Sequence, residues 1–125
     1  GIAFSPAEDI LYVAVSDGAA TRVMAFDVRP DGGVANPRVF FNAQPLRAPG
    51  VRGGCDGLKV DREGNVWTTG PGGVLVISRE GRLLGRLNTF EPTANCAWGD
   101  DGSTLYIAAN YFLVRVRTLT KGAGW

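Results

Sequence analysis

The residues best placed for chemistry lie in one short phrase, Gly53-Gly54-Cys55-Asp56-Gly57. Asp56 stands between glycines where a loop is predicted to become a strand, so its carboxylate can face a cavity. The chain of 125 residues contains no histidine. Ser-His and Cys-His nucleophilic pairs and histidine-rich zinc sites are therefore excluded, and a carboxylate becomes the candidate base.

An altered copy of this phrase follows downstream. Asn95 comes 39 residues after Asp56, and Tyr106 comes 39 residues after Trp67. Repeats of about 40 residues, each a four-stranded meander, are typical of a β-propeller. Because Asn95 aligns with Asp56, we expect its side chain to look into the same channel, either as a ligand or substrate contact or as a structural hydrogen-bond partner.

Composition narrows the classes of fold and partner. The 18 Gly and 7 Pro residues, among short runs of Val, Leu, Ile and Thr, predict strands and tight turns. The net charge of +1 indicates neither a nucleic acid nor an anionic membrane as partner. No apolar run approaches the roughly 20 residues of a spanning helix. We expect a soluble protein and leave open whether it is cytoplasmic, periplasmic or secreted.

The two cysteines lie next to the aligned polar residues, with Cys55 directly before Asp56 and Cys96 directly after Asn95. A disulfide would require their Cα atoms to lie within about 7 Å of each other, which spacing in the sequence does not decide. Buried free thiols are the expected state.

The strand pattern predicts an all-β fold, a β-propeller of about three four-stranded blades. The first blade covers residues 1–44, a connecting loop 45–54, the second blade 55–92 and an incomplete third blade 93–125. A β-sandwich is the alternative, but it gives no reason for the 39-residue interval. Propeller blades bury their faces only against one another. The large aromatic residues on strand interiors are expected to fill these layers: Tyr12, Phe26, Trp67, Trp98 and Tyr106.

Several motifs, taken in order, resemble the C-terminal half of the gluconolactonase group in the SMP-30/gluconolactonase/luciferin-regenerating-enzyme-like family. The likeness runs nearly from end to end of the chain, and the ordered series is more specific than any single motif. The motifs are Gly1-Ile2-Ala3-Phe4-Ser5-Pro6, Asp56-Gly57-Leu58-Lys59-Val60-Asp61, Gly64-Asn65-Val66-Trp67, Thr69-Gly70-Pro71-Gly72-Gly73-Val74, and Asn95-Cys96-Ala97-Trp98-Gly99-Asp100-Asp101-Gly102 with Leu105-Tyr106-Ile107.

The resemblance implies a six-bladed ring with a divalent cation at the top of its channel, usually Ca²⁺, with Zn²⁺, Mn²⁺ and Mg²⁺ as alternatives. The family holds this cation with a Glu of the first blade, an Asn directly before the Gly-Ile-Ala phrase, and the Asp that matches Asp56. Of these three ligands, only Asp56 falls inside this chain. A hard cation takes oxygen ligands, which suits a carboxylate. The alternative is that Asp56 only caps a tight glycine turn.

The implied activity is metal-dependent hydrolysis of a gluconolactone-like sugar lactone to its aldonic acid. The cation would polarise the carbonyl while Asp56, as the catalytic carboxylate, activates water. Related hydrolysis of other lactones or phosphotriesters is one alternative, and a non-catalytic propeller fragment without a complete metal site is another. Cys55 stands where the family commonly has Pro, and it puts a soft sulfur beside a hard-metal site.

Two further residues are candidates for substrate binding because their loops share one face in propeller geometry. Tyr111 could stack on or hydrogen-bond to a sugar ring, although an exposed rim aromatic without a task is equally consistent with the sequence. Asp17 could contact substrate or serve only as a turn residue. Blade faces left open would also favour self-association of the chain.

Overall fold

The computed structural model describes residues 1–125 and confirms the all-β fold. A short 3-10 helix, Gln44–Leu46, is the single helical segment. It lacks the length that a membrane crossing requires. The eleven strands are β1 (Ile2–Phe4), β2 (Ile10–Val15), β3 (Arg22–Val28), β4 (Val34–Asn42), β5 (Leu58–Val60), β6 (Val66–Gly70), β7 (Gly73–Ile77), β8 (Leu83–Asn88), β9 (Thr93–Gly99), β10 (Thr104–Ala109) and β11 (Phe112–Arg117).

The strands form three antiparallel meanders rather than two facing sheets. Sheet 1 is ordered β1-β2-β3-β4, sheet 2 is ordered β5-β6-β7-β8, and sheet 3 is ordered β9-β10-β11. Hairpin turns of the kind Asp-Gly and Glu-Gly connect many of the strands, with the glycine at positive φ, for example Gly81 at 84° and Gly102 at 85°. Glycine adopts this conformation without the steric cost that a side chain would add.

The first strands of the three sheets, β1, β5 and β9, lie side by side. Their backbones approach closely at one end, where the Gly57 N–H donates to the Ala94 carbonyl at 2.9 Å. A Cβ atom on Gly1 would lie 2.2 Å from the Asp56 carbonyl oxygen, so only glycine permits this approach. The sheets therefore radiate from a shared line of inner strands, as propeller blades do.

Two apolar layers hold the sheets together. The layer between sheets 1 and 2 contains Tyr12, Val23, Leu58 and Leu75, among others. The layer between sheets 2 and 3 is centred on Trp67, with Val74, Cys96, Leu105 and Ile107. Sheet 2 is consequently covered on both faces, whereas sheets 1 and 3 are each covered on one.

The aromatic residues divide according to these layers. Tyr12 and Trp67 are buried in them, and Trp98 packs on Trp67 with ring centroids 5.2 Å apart, as predicted. Phe26 and Tyr106 are only half-buried and belong to neither layer, so the prediction of inter-blade packing is wrong for these two in this chain. Tyr106 pairs across β9–β10 with Ala97, on the face of sheet 3 that no other sheet covers.

The strand pairing shows that the alignment of sheet 2 with sheet 3 is shifted by one residue in their inner strands, β5 and β9. Lys59 pairs with Trp67 in sheet 2, whereas Ala97 pairs with Tyr106 in sheet 3. Asn95 therefore corresponds to Gly57, and Ala94 corresponds to Asp56. The connection from Trp98 to its partner Leu105 contains one residue more than the equivalent connection from Val60 to its partner Val66, and an irregularity in the β9–β10 pairing leaves Ala94 without a partner. The expectation that Asn95 occupies the Asp56 position is wrong by this one-residue shift.

The cysteines are both free and buried, as expected. Several large apolar side chains on the uncovered faces are exposed: Ile2, Phe4 and Val39 in sheet 1, and Leu113 in sheet 3. Such faces favour association with another apolar surface. Self-association of the chain remains a prediction.

Candidate functional site

Asp56 lies on a loop that two buried threonines fix from different sheets. The Thr69 hydroxyl accepts the Asp56 N–H at 3.0 Å and donates to the Gly54 carbonyl at 3.3 Å. The Thr21 hydroxyl accepts the Cys55 N–H at 2.7 Å. Both threonines are fully buried, so their hydroxyls replace water as partners of the loop backbone. The loop is thereby held between sheets 1 and 2.

The Asp56 carboxylate itself is exposed and has no hydrogen-bond or ion-pair partner in the chain. It lines a cleft of about 400 Å³ at the end of the inner strands. The cleft is also lined by the bulged Ala94, by Ala108 and by Cys55, and its oxygen-bearing side chains besides Asp56 are Ser16, Thr93 and Asn110. A rigid backbone that carries an unpartnered carboxylate into a cleft is suited to binding a cation or accepting a proton.

Asn110 links this cleft to the charged residues beside it. It adopts positive φ (54°) in the tight turn between β10 and β11, a conformation that Asn tolerates better than most residues. Its Nδ2 donates to Glu91 Oε2 at 3.1 Å, which leaves its Oδ1 without a partner. Glu91 Oε2 also lies 3.9 Å from Arg52 Nη1. One amide oxygen, one carboxylate and one guanidinium thus follow each other outward from the cleft.

The other predicted residues do not line the cleft. Asn95 Oδ1 accepts the Cys96 N–H at 2.9 Å, and Gly57 leaves room for it, since a Cβ there would lie 2.1 Å from this oxygen. Asp17 accepts the Ala19 N–H at 2.9 Å in a local turn. Tyr111 is 90% exposed. Substrate binding by these three residues remains a prediction.

Sequence reasoning missed the residues that support Asp56. Thr21 and Thr69 lie 35 and 13 residues away from Asp56 along the chain and resemble ordinary strand residues. Ser16 and Glu91 belong to none of the motifs that the sequence analysis identified. The one available signal was the predicted residue Tyr111, whose loop borders the cleft, although its neighbour Asn110 lines the cleft and Tyr111 does not.

The Cys55 thiol, which lines the same cleft, is shifted towards its protonated form. Burial raises the pKa of its thiol above the ordinary value, and hydrogen bonds involving Thr21 and Thr68 offset only part of this effect. The thiol is therefore protonated where thiolate would be needed to bind metal. The oxygen-bearing side chains of the cleft remain the relevant donors.

The metal-ligating capacity of the chain is partial. No group of three or more Asp, Glu or Cys side chains is clustered anywhere in the chain. Asp56 can supply one carboxylate, and Asn110 Oδ1 and Ser16 Oγ are neutral oxygens lining the same cleft. This all-oxygen donor set fits a hard divalent cation, although a carboxylate-rich site would require further ligands.

Comparison with known proteins gives consistent results. Residues 1–111 match the family model described as the SMP-30/Gluconolactonase/LRE-like region. The chain is 34% identical over 125 residues to a gluconolactonase of Zymomonas mobilis, covering 98% of the chain but 35% of that protein. It thus spans about a third of the length of this curated relative.

Solved structures show the same relationship. A gluconolactonase from Xanthomonas campestris superposes with a TM-score of 0.79 at 32% identity, over 94% of this chain and 36% of that one. A luciferin-regenerating enzyme gives a TM-score of 0.80 at 25% identity, over 98% of this chain and 46% of that one. The family-model match and the two superpositions identify the chain as a member of the SMP-30/gluconolactonase/LRE-like family.

Proposed function

We propose that the protein containing this chain is a metal-dependent lactonase that opens a small sugar lactone to its aldonic acid. The observation that carries the proposal is the exposed, unpartnered Asp56 carboxylate on a loop clamped by Thr21 and Thr69. Gluconolactonases among the relatives support the substrate class. Because the chain spans about a third of the Zymomonas relative, the activity is proposed for the whole protein.

The chemistry requires a base and an oriented water molecule. The water oxygen bonds to the lactone carbonyl carbon, and the proton it loses passes to the Asp56 carboxylate. The ring C–O bond then breaks, and Asp56 returns the proton to the ring oxygen, which becomes a hydroxyl group. Asn110 Oδ1 and Ser16 Oγ, which have no partners in the chain, are available to accept or donate hydrogen bonds to the sugar hydroxyls.

Asp56 would also be the carboxylate that this chain contributes to a divalent cation, most simply Ca²⁺. A bound cation supplies Lewis-acid polarisation of the lactone carbonyl. The fixed backbone of Asp56 matters for both roles, because a ligand or base displaced by about 1 Å loses much of its effect.

The test measures acid release from glucono-δ-lactone in a pH-stat, using the full-length protein with Ca²⁺ or with chelator. We expect Asp56→Asn, which keeps the side-chain shape, to lower the rate by about a hundredfold or more. Asp31→Asn is the matched control, because Asp31 is an exposed carboxylate whose contacts lie within the β3–β4 turn. It should leave the rate unchanged.

Full activity in Asp56→Asn would contradict the assigned role of Asp56. Turnover that is indifferent to chelator would contradict metal dependence. An aryl phosphotriester tested in parallel separates the lactonase from the related hydrolase, since faster turnover of the phosphotriester would overturn the proposed substrate class.

A further inference from the structure

A small cationic hollow lies beside the cleft, on the same face of the molecule. Its volume is about 140 Å³, and it is formed by the loop before β5, the β6–β7 turn, the end of β8 and the loop before β9. Its lining includes Arg52, Gly72, Arg86, Asn88 and Glu91.

Arg86 is exposed, lies over a glycine and lacks a counter-charge. Its Nη1 donates to the Pro71 carbonyl at 3.4 Å. Gly72 has φ +90°, and a Cβ there would lie 2.8 Å from this Nη1, so the glycine leaves the space that the guanidinium occupies. Arg86 forms no ion pair in the chain. Its remaining N–H groups are free to bind an anion.

The backbone of Arg52 is fixed, and its exposed guanidinium is only partly neutralised. Its carbonyl accepts the Gly72 N–H at 2.8 Å, which ties the loop before β5 to the β6–β7 turn. The guanidinium lies 3.9 Å from Glu91 Oε2, and that oxygen already accepts Asn110 Nδ2 at 3.1 Å. Two guanidinium groups and one shared carboxylate leave an uncompensated positive charge in the hollow.

The hollow adjoins the cleft that contains Asp56. Glu91 lines the hollow and Asn110 lines the cleft, and the hydrogen bond between them forms the boundary. Arg52 precedes Asp56 by four residues, so their Cα atoms are at most about 14 Å apart. A substrate whose carbonyl lies at Asp56 can therefore direct a substituent towards Arg52 and Arg86.

We propose that this hollow binds a phosphate group, and that the group is carried by the lactone substrate at the end distant from its carbonyl. Guanidinium groups recognise phosphate oxygens with paired, charge-assisted hydrogen bonds. Asn88 also lines the hollow. Its Oδ1 accepts the Phe90 N–H, so its amide nitrogen points away from Phe90. Phosphate binding is inferred from the hollow alone. The phosphorylated lactone as substrate rests on the proposed lactonase function.

The first experiment titrates inorganic phosphate into the full-length protein by calorimetry at low ionic strength. We expect binding by the wild type and a loss of affinity of about tenfold or more in Arg86→Gln. Arg115→Gln is the control, because Arg115 is also exposed and makes no ion pair but lies on β11, outside the hollow. Equal phosphate affinity in wild type and Arg86→Gln would overturn the site. Unchanged thermal unfolding of the variants verifies that both are folded.

The second experiment compares kcat/KM for glucono-δ-lactone and for the same lactone phosphorylated on its terminal hydroxyl. We expect Arg86→Gln to lower the value for the phosphorylated lactone by about tenfold and to leave the neutral lactone unchanged. Phosphate binding without any preference for the phosphorylated lactone would overturn the substrate claim and leave a site for free phosphate. If the wild type hydrolyses neither lactone, the proposed function fails, and the calorimetry still decides whether the hollow binds phosphate.

Discussion

Strands of similar apolar composition are buried in sheet 2 but exposed in sheet 3. The strand β7, Gly-Val-Leu-Val-Ile, is almost entirely buried, whereas β11, Phe-Leu-Val-Arg-Val-Arg, is mostly exposed. Both strands are rich in Val and Leu. The difference is that sheet 2 has a neighbouring sheet on each face and sheet 3 has one on a single face. Burial in this fold is therefore set by the stacking of sheets rather than by the pattern within a strand.

The largest test of this comparison replaces an apolar side chain in each sheet. Leu75→Ala, in β7, removes a fully buried side chain and should lower the free energy of unfolding by about 2–5 kcal/mol. Leu113→Ala, in β11, removes a side chain that is 76% exposed and should change it by less than about 0.5 kcal/mol. Urea unfolding of the 125-residue chain measures both values. Equal losses would mean that the open face of sheet 3 is covered in solution, as self-association would require.

The same comparison explains what the sequence could and could not predict about the fold. The meanders followed from short apolar runs separated by Asp-Gly and Glu-Gly turns, because those signals are local. The one-residue shift of Asn95 against Asp56 did not follow, since a longer connection between paired residues and an irregular pairing alter register without altering the 39-residue interval between the second strands, β6 and β10. The incomplete burial of Tyr106 was also missed, because it depends on a neighbouring sheet and not on its own strand.

A second, smaller test uses the aligned aromatic pair, Trp67 and Tyr106. Trp67 Nε1 donates to Oδ2 of Asp61, a fully buried carboxylate, at 2.9 Å. Trp67→Phe removes this bond to a charged group and should cost about 2 kcal/mol in unfolding free energy. Tyr106 Oη donates to Asp100 at 3.1 Å in an exposed position, so Tyr106→Phe should cost less than about 0.5 kcal/mol. Comparable costs for the two variants would contradict the asymmetry between sheets 2 and 3.

The candidate site shows the same limit of sequence reasoning. The position of Asp56 facing a cleft was predictable because it lies between glycines at a strand entrance, and its role there stays a prediction. Its supports, Thr21 and Thr69, were not predictable, because their hydroxyls act through backbone groups that only the assembled sheets bring near. Arg86 was likewise not predictable from the sequence, since its position over Gly72 depends on the pairing of β7 with β8.

The test with the smallest expected effect examines whether water is excluded from the layer between sheets 2 and 3. Burial raises the pKa of the Cys96 thiol to about 11 from an ordinary value of 9.0, and the positive charge of Lys59 offsets part of this rise. The unfolded chain therefore loses this proton at lower pH than the folded chain. Above about pH 9 the unfolded state binds fewer protons, so stability falls as pH rises, until the folded thiol also ionises near pH 11.

Wild type and Cys96→Ala, unfolded in urea at several pH values from 8 to 10, isolate this contribution. All other titratable groups are common to both proteins, so only the difference between the two curves reports on Cys96. We expect the wild type to lose about 1.4 kcal/mol more than the variant by pH 10. Parallel curves would mean that water reaches the Cys96 sulfur. The layer between sheets 2 and 3 would then be looser than the layer between sheets 1 and 2, and the two-sided burial of sheet 2 would not hold in solution.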